Sequence, residues 1–341
     1  MSDNSKIEWL SGGATWQIIT GCSLASPGCI YCYAQTLAGG RLRNHESRTG
    51  LTQMTKNGPI WNGQVRFNEK ELYKPLQWRR PRKIFPVAHG DLFHENVPDE
   101  WIDKVFAVMA LASHHTFIVL TKRAKRMREY MNSIDNGDGT RIEGLRDALI
   151  EGMAQKIYHE RTGENPDMWL AVSLPLKNVW LGVSCEDQRR YNEREFHLRM
   201  TPAAVRFFSF EPLLGPIKAP WLGDWAIIGG ESGAHARPMH PDWARSLMEQ
   251  CEDHGVPKFF KQWGAWLPWE PAQAPLWRSQ NGIEEDRHIL FPSDFDTDKN
   301  WDDGLWAIGY GQDESHVAFQ RVGKKKSGNF IDGIQHLEWP S

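Results

Sequence analysis

Cys22, Cys29 and Cys32 lie within eleven residues, in GCSLASPGCIYCYA, and no other side chains in the sequence speak as directly of chemistry. Six residues separate the first pair and two the second, so one short loop can gather three sulfurs. Three thiolates fall one short of the four protein ligands of a structural zinc. They also fall one short of the four cysteines that usually hold a four-iron cluster. An incomplete set leaves one coordination position for something else. The competing account is a structural zinc completed by a nearby His or Asp. His45 is the nearest histidine in sequence, and nothing in the sequence holds it there.

The elements that must position such a loop are legible as repeated apolar runs with polar tips. WQIIT ends at Gly21-Cys22, IFPVA at His89-Gly90-Asp91, and FIVL at Thr121-Lys122-Arg123. VWLGV ends at Ser184-Cys185-Glu186-Asp187, VRFFSF at Glu211-Pro212, WAII at Gly229-Gly230-Glu231-Ser232, and KFF at Gln262-Trp263-Gly264. Runs of this kind suit strands buried on both faces of a parallel sheet. Helical patterns fall between several of them: one opening at Pro98-Asp99-Glu100, then Lys125–Asn132, Gly144–His159 and Asp242–Asp253, with Gly255 as a stop. This alternation predicts an α/β fold with right-handed parallel crossovers, a (β/α) barrel, complete or partial. In such barrels the chemistry sits on loops at the carboxyl ends of the strands, where the cysteines and the polar tips would converge.

The strand series predicts a barrel domain over residues 1–268. Residues 269–341 form a small C-terminal extension, loop-rich at first, with short strands around Ala307–Tyr310 and His316–Val322, that packs on the barrel or covers its mouth. Hydrophobic residues make up 40% of the 341 and charged residues 24%, a soluble globular balance. The net charge of -3 excludes a global basic field, so any nucleic-acid partner must be met by local patches. Arg41, Arg43 and Arg48 make one, Arg79 to Lys83 a second, Lys122 to Arg128 a third and Lys324 to Lys326 a fourth; solvated loops and helix faces are the plainer account of each. Seventeen tryptophans could stack on bases or line clefts. No run reaches membrane-span length, no signal peptide is apparent, and an odd count of five cysteines fits a reducing cytoplasm better than a disulfide framework. Cys251 shares a helical face with Trp243 and Leu247 and reads as a small buried hydrophobe.

The tips carry further candidates, each with a plain structural alternative. Glu231 sits among Gly229, Gly230 and Gly233, which would let backbone approach a ligand or merely turn the chain. Lys122 and Arg123 could hold a carboxylate or phosphate, or form the solvated first turn of the next helix. Ser184, Glu186 and Glu211 read as rim residues facing ribose hydroxyls. His94 and His240 read as structural. Lys261, Gln262 and Trp263 could close the barrel or touch substrate.

The cysteine loop, the strand series and the tips together resemble a radical S-adenosylmethionine enzyme. More narrowly, the chain is similar to a little-characterised family common in phages and bacteria, itself distantly similar to spore photoproduct lyase. The resemblance runs over nearly the whole length, through IEW, TGCSLASPGCIYCYA, GDLFHENVP, LTKRAKRM, LGVSCEDQ, FEPLLGPI, IIGGESGAHARPMHPDW, FFKQWGAW and RVGKKKSG. It implies that Cys22, Cys29 and Cys32 each ligate one iron of a [4Fe-4S] cluster, with S-adenosylmethionine on the fourth. Cleavage to a 5'-deoxyadenosyl radical and hydrogen abstraction from substrate follow from that likeness. So do a flavodoxin or ferredoxin as electron donor and a nucleic-acid base or nucleoside as substrate, such as a modified thymine in phage DNA that is isomerised or gains a C–C bond. Tyr31 matches the aromatic that packs near adenine. The commonest spacing in that superfamily puts three residues, not six, between the first two cysteines. Its glycine-rich stretch for the methionine amino group follows the second strand, where this chain has His89-Gly90-Asp91. Either Asp91 and its neighbours take that role and Gly229 to Ser232 serve adenosine or substrate, or the strand count is different. Two other functions stay open: a non-catalytic zinc-stabilised protein that binds nucleic acid or a partner, and a radical enzyme acting on a peptide or small metabolite.

Overall fold

Seven of the apolar runs supply the strands of one parallel sheet. The computed structural model describes residues 4–132, 145–165, 171–269, 305–309 and 316–340. In chain order the strands are β1 (Ala14–Trp16), β2 (Ile19–Thr20), β3 (Thr52–Thr55), β4 (Gly58–Trp61), β5 (Arg66–Phe67) and β6 (Lys83–Pro86). Then come β7 (Thr116–Thr121), β8 (Val179–Ser184), β9 (Val205–Phe210), β10 (Trp225–Gly229) and β11 (Lys258–Gln262). The sheet order is β1-β6-β7-β8-β9-β10-β11, with every neighbouring pair parallel. One run is corrected: WQIIT is two elements. The chain leaves the large sheet after Trp16, and Ile19–Thr20 pairs instead with Arg66–Phe67, antiparallel. The chain rejoins the tip of β6 at Gly21, which bridges Gly90 immediately before the first cysteine.

The helices are α1 (Tyr33–Gly39), α2 (Asp99–Leu111), α3 (Ala124–Asn132), α4 (Leu145–Thr162), α5 (Gln188–Arg199) and α6 (Pro241–Asp253). Asp99 and Glu100 place negative charge in the first turn of α2, where the helix dipole favours it. The Asp187 carboxylate caps α5 by accepting the Arg190 N–H at 2.8 Å. His240 caps α6, its Nδ1 accepting the Asp242 N–H at 3.2 Å, and Gly255 follows at φ +63°. Sequence periodicity misses α5 because only Tyr191, Arg194 and Leu198 on it are buried.

Successive strand residues face opposite sides, and the two sides bury different cores. Phe117, Val119, Leu181, Val183, Phe208, Ala226 and Ile228 point outward into the layer formed with the helices. Ile118, Phe207, Trp225, Ile227 and Phe259 point inward and pack with Trp9, Leu10 and Phe85. Each such side chain contributes about 1.5–3 kcal/mol by leaving water.

The sheet is curled but not closed by strand pairing, since β1 pairs in it only with β6 and β11 only with β10. The turn Glu8–Leu10 packs against both β6 and β11. Along the free edge of β11, the Phe260 N–H reaches the His336 carbonyl (2.8 Å) and the Glu338 N–H reaches that of Lys258 (3.1 Å). The Trp339 indole donates to the Trp9 carbonyl at 3.1 Å, with the Lys83 ammonium 4.0 Å above its ring. The tail thus covers an edge that would otherwise offer unpaired backbone groups. Trp266–Trp269 (β12), Leu305–Gly309 (β13) and His316–Arg321 (β14) form an antiparallel sheet in the order β12-β14-β13. The stretch 270–304 and Tyr310 lie outside the described residues.

Candidate functional site

A cavity of about 620 Å³ opens at the carboxyl ends of the seven strands, a volume suited to a drug- or nucleoside-sized ligand. Trp9, Phe85 and Leu120 floor it; Gln17, Ser184, Ser209, Glu211 and Lys261 stand on its wall; Cys22, Cys29 and Cys32 border it.

Contacts from several strand tips hold the cysteine loop in place. Gly21 turns the chain at φ +98°, and a Cβ there would stand 2.1 Å from the Gln64 carbonyl oxygen. Its N–H donates to the His89 carbonyl at 3.1 Å, and the Cys22 carbonyl accepts the Gly63 N–H at 3.0 Å. Arg123, at the tip of β7, donates to Cys22 Sγ (3.4 Å) and to the Ser23 carbonyl and hydroxyl (2.9 Å each). Glu186, beyond β8, accepts the Gly28 N–H at 3.0 Å. Arg237 donates to the Pro27 carbonyl at 3.1 Å. On the loop's other flank the Gln35 amide donates to the Cys29 and Ile30 carbonyls at 3.1 and 2.8 Å.

Burial pushes the Cys22 thiol up to about 12, with the Arg123 charge acting the other way, and burial also raises Cys32. A bare Cys22 thiol therefore stays protonated at neutral pH, and a metal would have to displace its proton. Cys29 and Cys32 lie close enough to Cys22 for their ionisation to oppose its own. Among the described residues, however, no three His, Cys, Asp or Glu side chains are gathered tightly enough to hold a metal ion. The fit to an iron–sulfur group is thus one of donor type and placement: three sulfurs around one cavity, with a cation behind them. His45 is not with them; it bonds Ser47 at 2.7 Å and lines a different cavity.

Of the residues singled out from sequence, Tyr31, Asp91, Lys122, Ser184, Gly230 and Glu231 border the cavity with the cysteines, whereas Glu186 and Gly229 do not. Glu186 is fully buried against Arg194 at 3.1 Å. Burial works against its charge, but Lys122, Arg194 and hydrogen bonds from Ser26 and Gly28 hold its carboxyl below the usual carboxylate range. It braces the cysteine loop and has no face toward a ribose. A Cβ on Gly229 would stand 2.6 Å from Glu211, and one on Gly230 2.1 Å from the Trp263 carbonyl. Both glycines are accounted for by close packing inside the chain. Asp91 uses its carboxylate on Thr121 (2.6 Å), the N–H groups of Phe93 and Lys122, and Arg123 (3.2 Å). Glu231 is forked by Arg237 at 2.7 and 2.8 Å. Tyr31 stacks on His235 with ring centroids 5.6 Å apart and carries Arg237 over its face.

Gln17 and Ser209 on the cavity wall, and Arg237, which braces the cysteine loop, are members that the sequence reading missed. Gln17 and Ser209 sit within or beside runs read as wholly apolar, and their inward direction follows from strand alternation alone. Lys261, left open above, lies 2.8 Å from Glu211 inside the cavity. Burial opposes its charge, yet Glu211 outweighs that and raises its pKa. The pair presents an ammonium and a carboxylate side by side.

The fold and site together define a half-open (β/α) barrel with a polar cavity under a loop of three cysteines. The chain belongs to the family described as a protein of unknown function, DUF5131, whose model matches residues 4–340. No curated protein matches it. A solved structure similar to it is a spore photoproduct lyase mutant with bound AdoMet and dinucleoside spore photoproduct. That likeness has 9% identity, covers 90% of this chain and 68% of that one, and has a TM-score of 0.35.

Proposed function

We propose that this protein is a radical S-adenosylmethionine enzyme acting on a nucleic-acid base or nucleoside. The observation that carries the proposal is that three cysteines of one loop border the cavity on which all seven strand tips converge. Cys22, Cys29 and Cys32 would hold a [4Fe-4S] cluster, leaving one iron for S-adenosylmethionine. When bound, that pair supplies one-electron cleavage of the sulfonium and a 5'-deoxyadenosyl radical that takes hydrogen from substrate.

The chain's own residues prepare the cavity for such a ligand. Arg123 sets Cys22 in place and lays positive charge behind it. The aromatic floor of Trp9 and Phe85 closes the barrel interior to water. Lys261 and Glu211 offer a carboxylate partner and a ribose partner at one point of the wall, and Lys122 offers a second cation. Tyr31 puts an aromatic ring at the border of the cavity, where a base would lie. Among bases, isomerisation or C–C bond formation at a thymine substituent is the chemistry we favour, with a flavodoxin or ferredoxin supplying electrons.

The test is anaerobic reconstitution with iron and sulfide. A brown protein that forms 5'-deoxyadenosine with dithionite and S-adenosylmethionine is expected, and Cys29→Ala should lose both colour and product. A colourless protein carrying about one zinc, unchanged in air, would replace the radical reading with the zinc-stabilised one.

A further inference from the structure

A second cavity, of about 670 Å³, shares Thr15, Gln17 and His89 with the first, so these three side chains form the wall between the two. Arg41, Arg48, Arg66 and Lys70 line it together with Glu46, Glu69 and Glu71. Most of these charges are already engaged or lie at the rim. Glu46 is held by Lys70 at 2.8 Å, and Arg66 donates to the carbonyls of Glu46 and Thr49 at 2.6 and 2.7 Å.

Arg48 is different. It is 5% exposed, and among the described residues its guanidinium donates only to neutral acceptors: the Ser47 carbonyl and hydroxyl, and His89 Nδ1, from a terminal nitrogen at 2.9 Å and from Nε at 3.3 Å. Among the described residues no carboxylate lies within ion-pair distance of it. A buried cation without a counter-ion is costly to keep. Burial lowers its pKa to about 10, with Glu71 acting against that and Arg66 adding to it, so it is still charged at neutral pH. Glu71 Oε2 is also buried and receives no hydrogen bond. The chamber therefore holds a cation with no anion in contact beside a carboxylate oxygen with no donor. A sugar phosphate supplies both, the phosphate as anion and a sugar hydroxyl as donor. His89 accepts from Arg48 on Nδ1, so the neutral ring keeps its proton on Nε2 and remains a donor in the dividing wall.

We propose that this chamber seats a phosphate group of the substrate, with Arg48 as its buried cation and Arg41 at its entrance. The attached nucleoside then passes His89 toward the cysteine-bordered cavity. The direction of the nucleoside rests on the function proposed above; the anion seat rests on Arg48 alone.

Titrations of the reconstituted full-length protein with thymidine, thymidine 5'-monophosphate and an octathymidylate strand test it. At least one phosphate-bearing probe should bind about ten- to a hundredfold more weakly to Arg48→Lys, with thymidine unaffected, since a lysine ammonium cannot hold Ser47 and His89 and meet a phosphate as well. Dependence of the mononucleotide assigns the seat to a phosphomonoester, and dependence of the strand alone assigns it to a phosphodiester. Arg41→Gln, at an exposed side chain that cannot upset folding, should lower the salt-dependence slope of strand binding by about one counter-ion. It decides the matter if circular dichroism shows Arg48→Lys to be unfolded. If neither phosphate probe responds to these changes, the chamber is not a phosphate seat. Iron content and 5'-deoxyadenosine formation are read on the same wild-type preparation. Arg48-dependent phosphate binding without them sinks the radical reading alone; the reverse sinks only the chamber.

Discussion

The two ends of the same seven strands differ in what they place on the barrel's inner face. At the amino ends the inward residues are Phe85, Ile118, Phe207, Trp225 and Phe259, closed over by Trp9. Trp225 packs edge-on against Trp9, Trp180 and Phe259, with centroids 6.4, 5.9 and 6.5 Å apart. One or two inward positions further along, the same strands carry Lys122, Ser184, Ser209, Glu211 and Lys261. The floor is held by area removed from water, the mouth by ion pairs that cost desolvation and must be bonded to survive. Stability and chemistry are thus divided along each strand.

Trp225→Ala should show the largest loss, about 3–5 kcal/mol in denaturant unfolding, because it opens a cavity among rings that cannot collapse together. If instead it left the unfolding midpoint intact, the floor would not be the seat of stability. Arg123→Met comes next, at about 3 kcal/mol, since Asp91 stays buried without its cation. Unlike the floor variant it should also lose iron on reconstitution, measured per folded chain, because Cys22 and Ser23 lose their donor. Glu186→Gln keeps the shape of the side chain but weakens its hold on Gly28 and Arg194. As the folded carboxyl sits below its ordinary value of 4.5, Glu186 contributes stability above that pH and loses it as pH falls through the lower folded value. Wild type and Glu186→Gln should therefore differ in unfolding midpoint at pH 7 and converge in strong acid. Cys251→Ala should matter least, about 1 kcal/mol, with iron binding unchanged, because that thiol is fully buried on α6 behind the sheet. Iron loss there would erase the distinction between wall and mouth cysteines.

Strands β6 to β11 are legible in the sequence because residues buried on both faces leave continuous apolar runs. The helices α2, α3, α4 and α6 are legible from spacing and caps. The helix α5 is not, since its buried face includes Arg194, whose charge is matched by Glu186 in the loop just before the helix. Arg48 is a comparable case. In sequence it is one of a group of basic residues, and only folding shows it buried beside His89, 41 residues away.

Local chemistry written in the chain settles the crowding of Cys22, Cys29 and Cys32, the alternation of strand and helix, and the polar character of the strand tips, because each depends on neighbours in sequence. Which tips share a cavity, that Asp91 is already taken by Arg123, and which arginine stays without an anion are decided by residues brought together from distant parts of the chain. Charge pairing and burial act through space, so those assignments exist only once the sheet has curled.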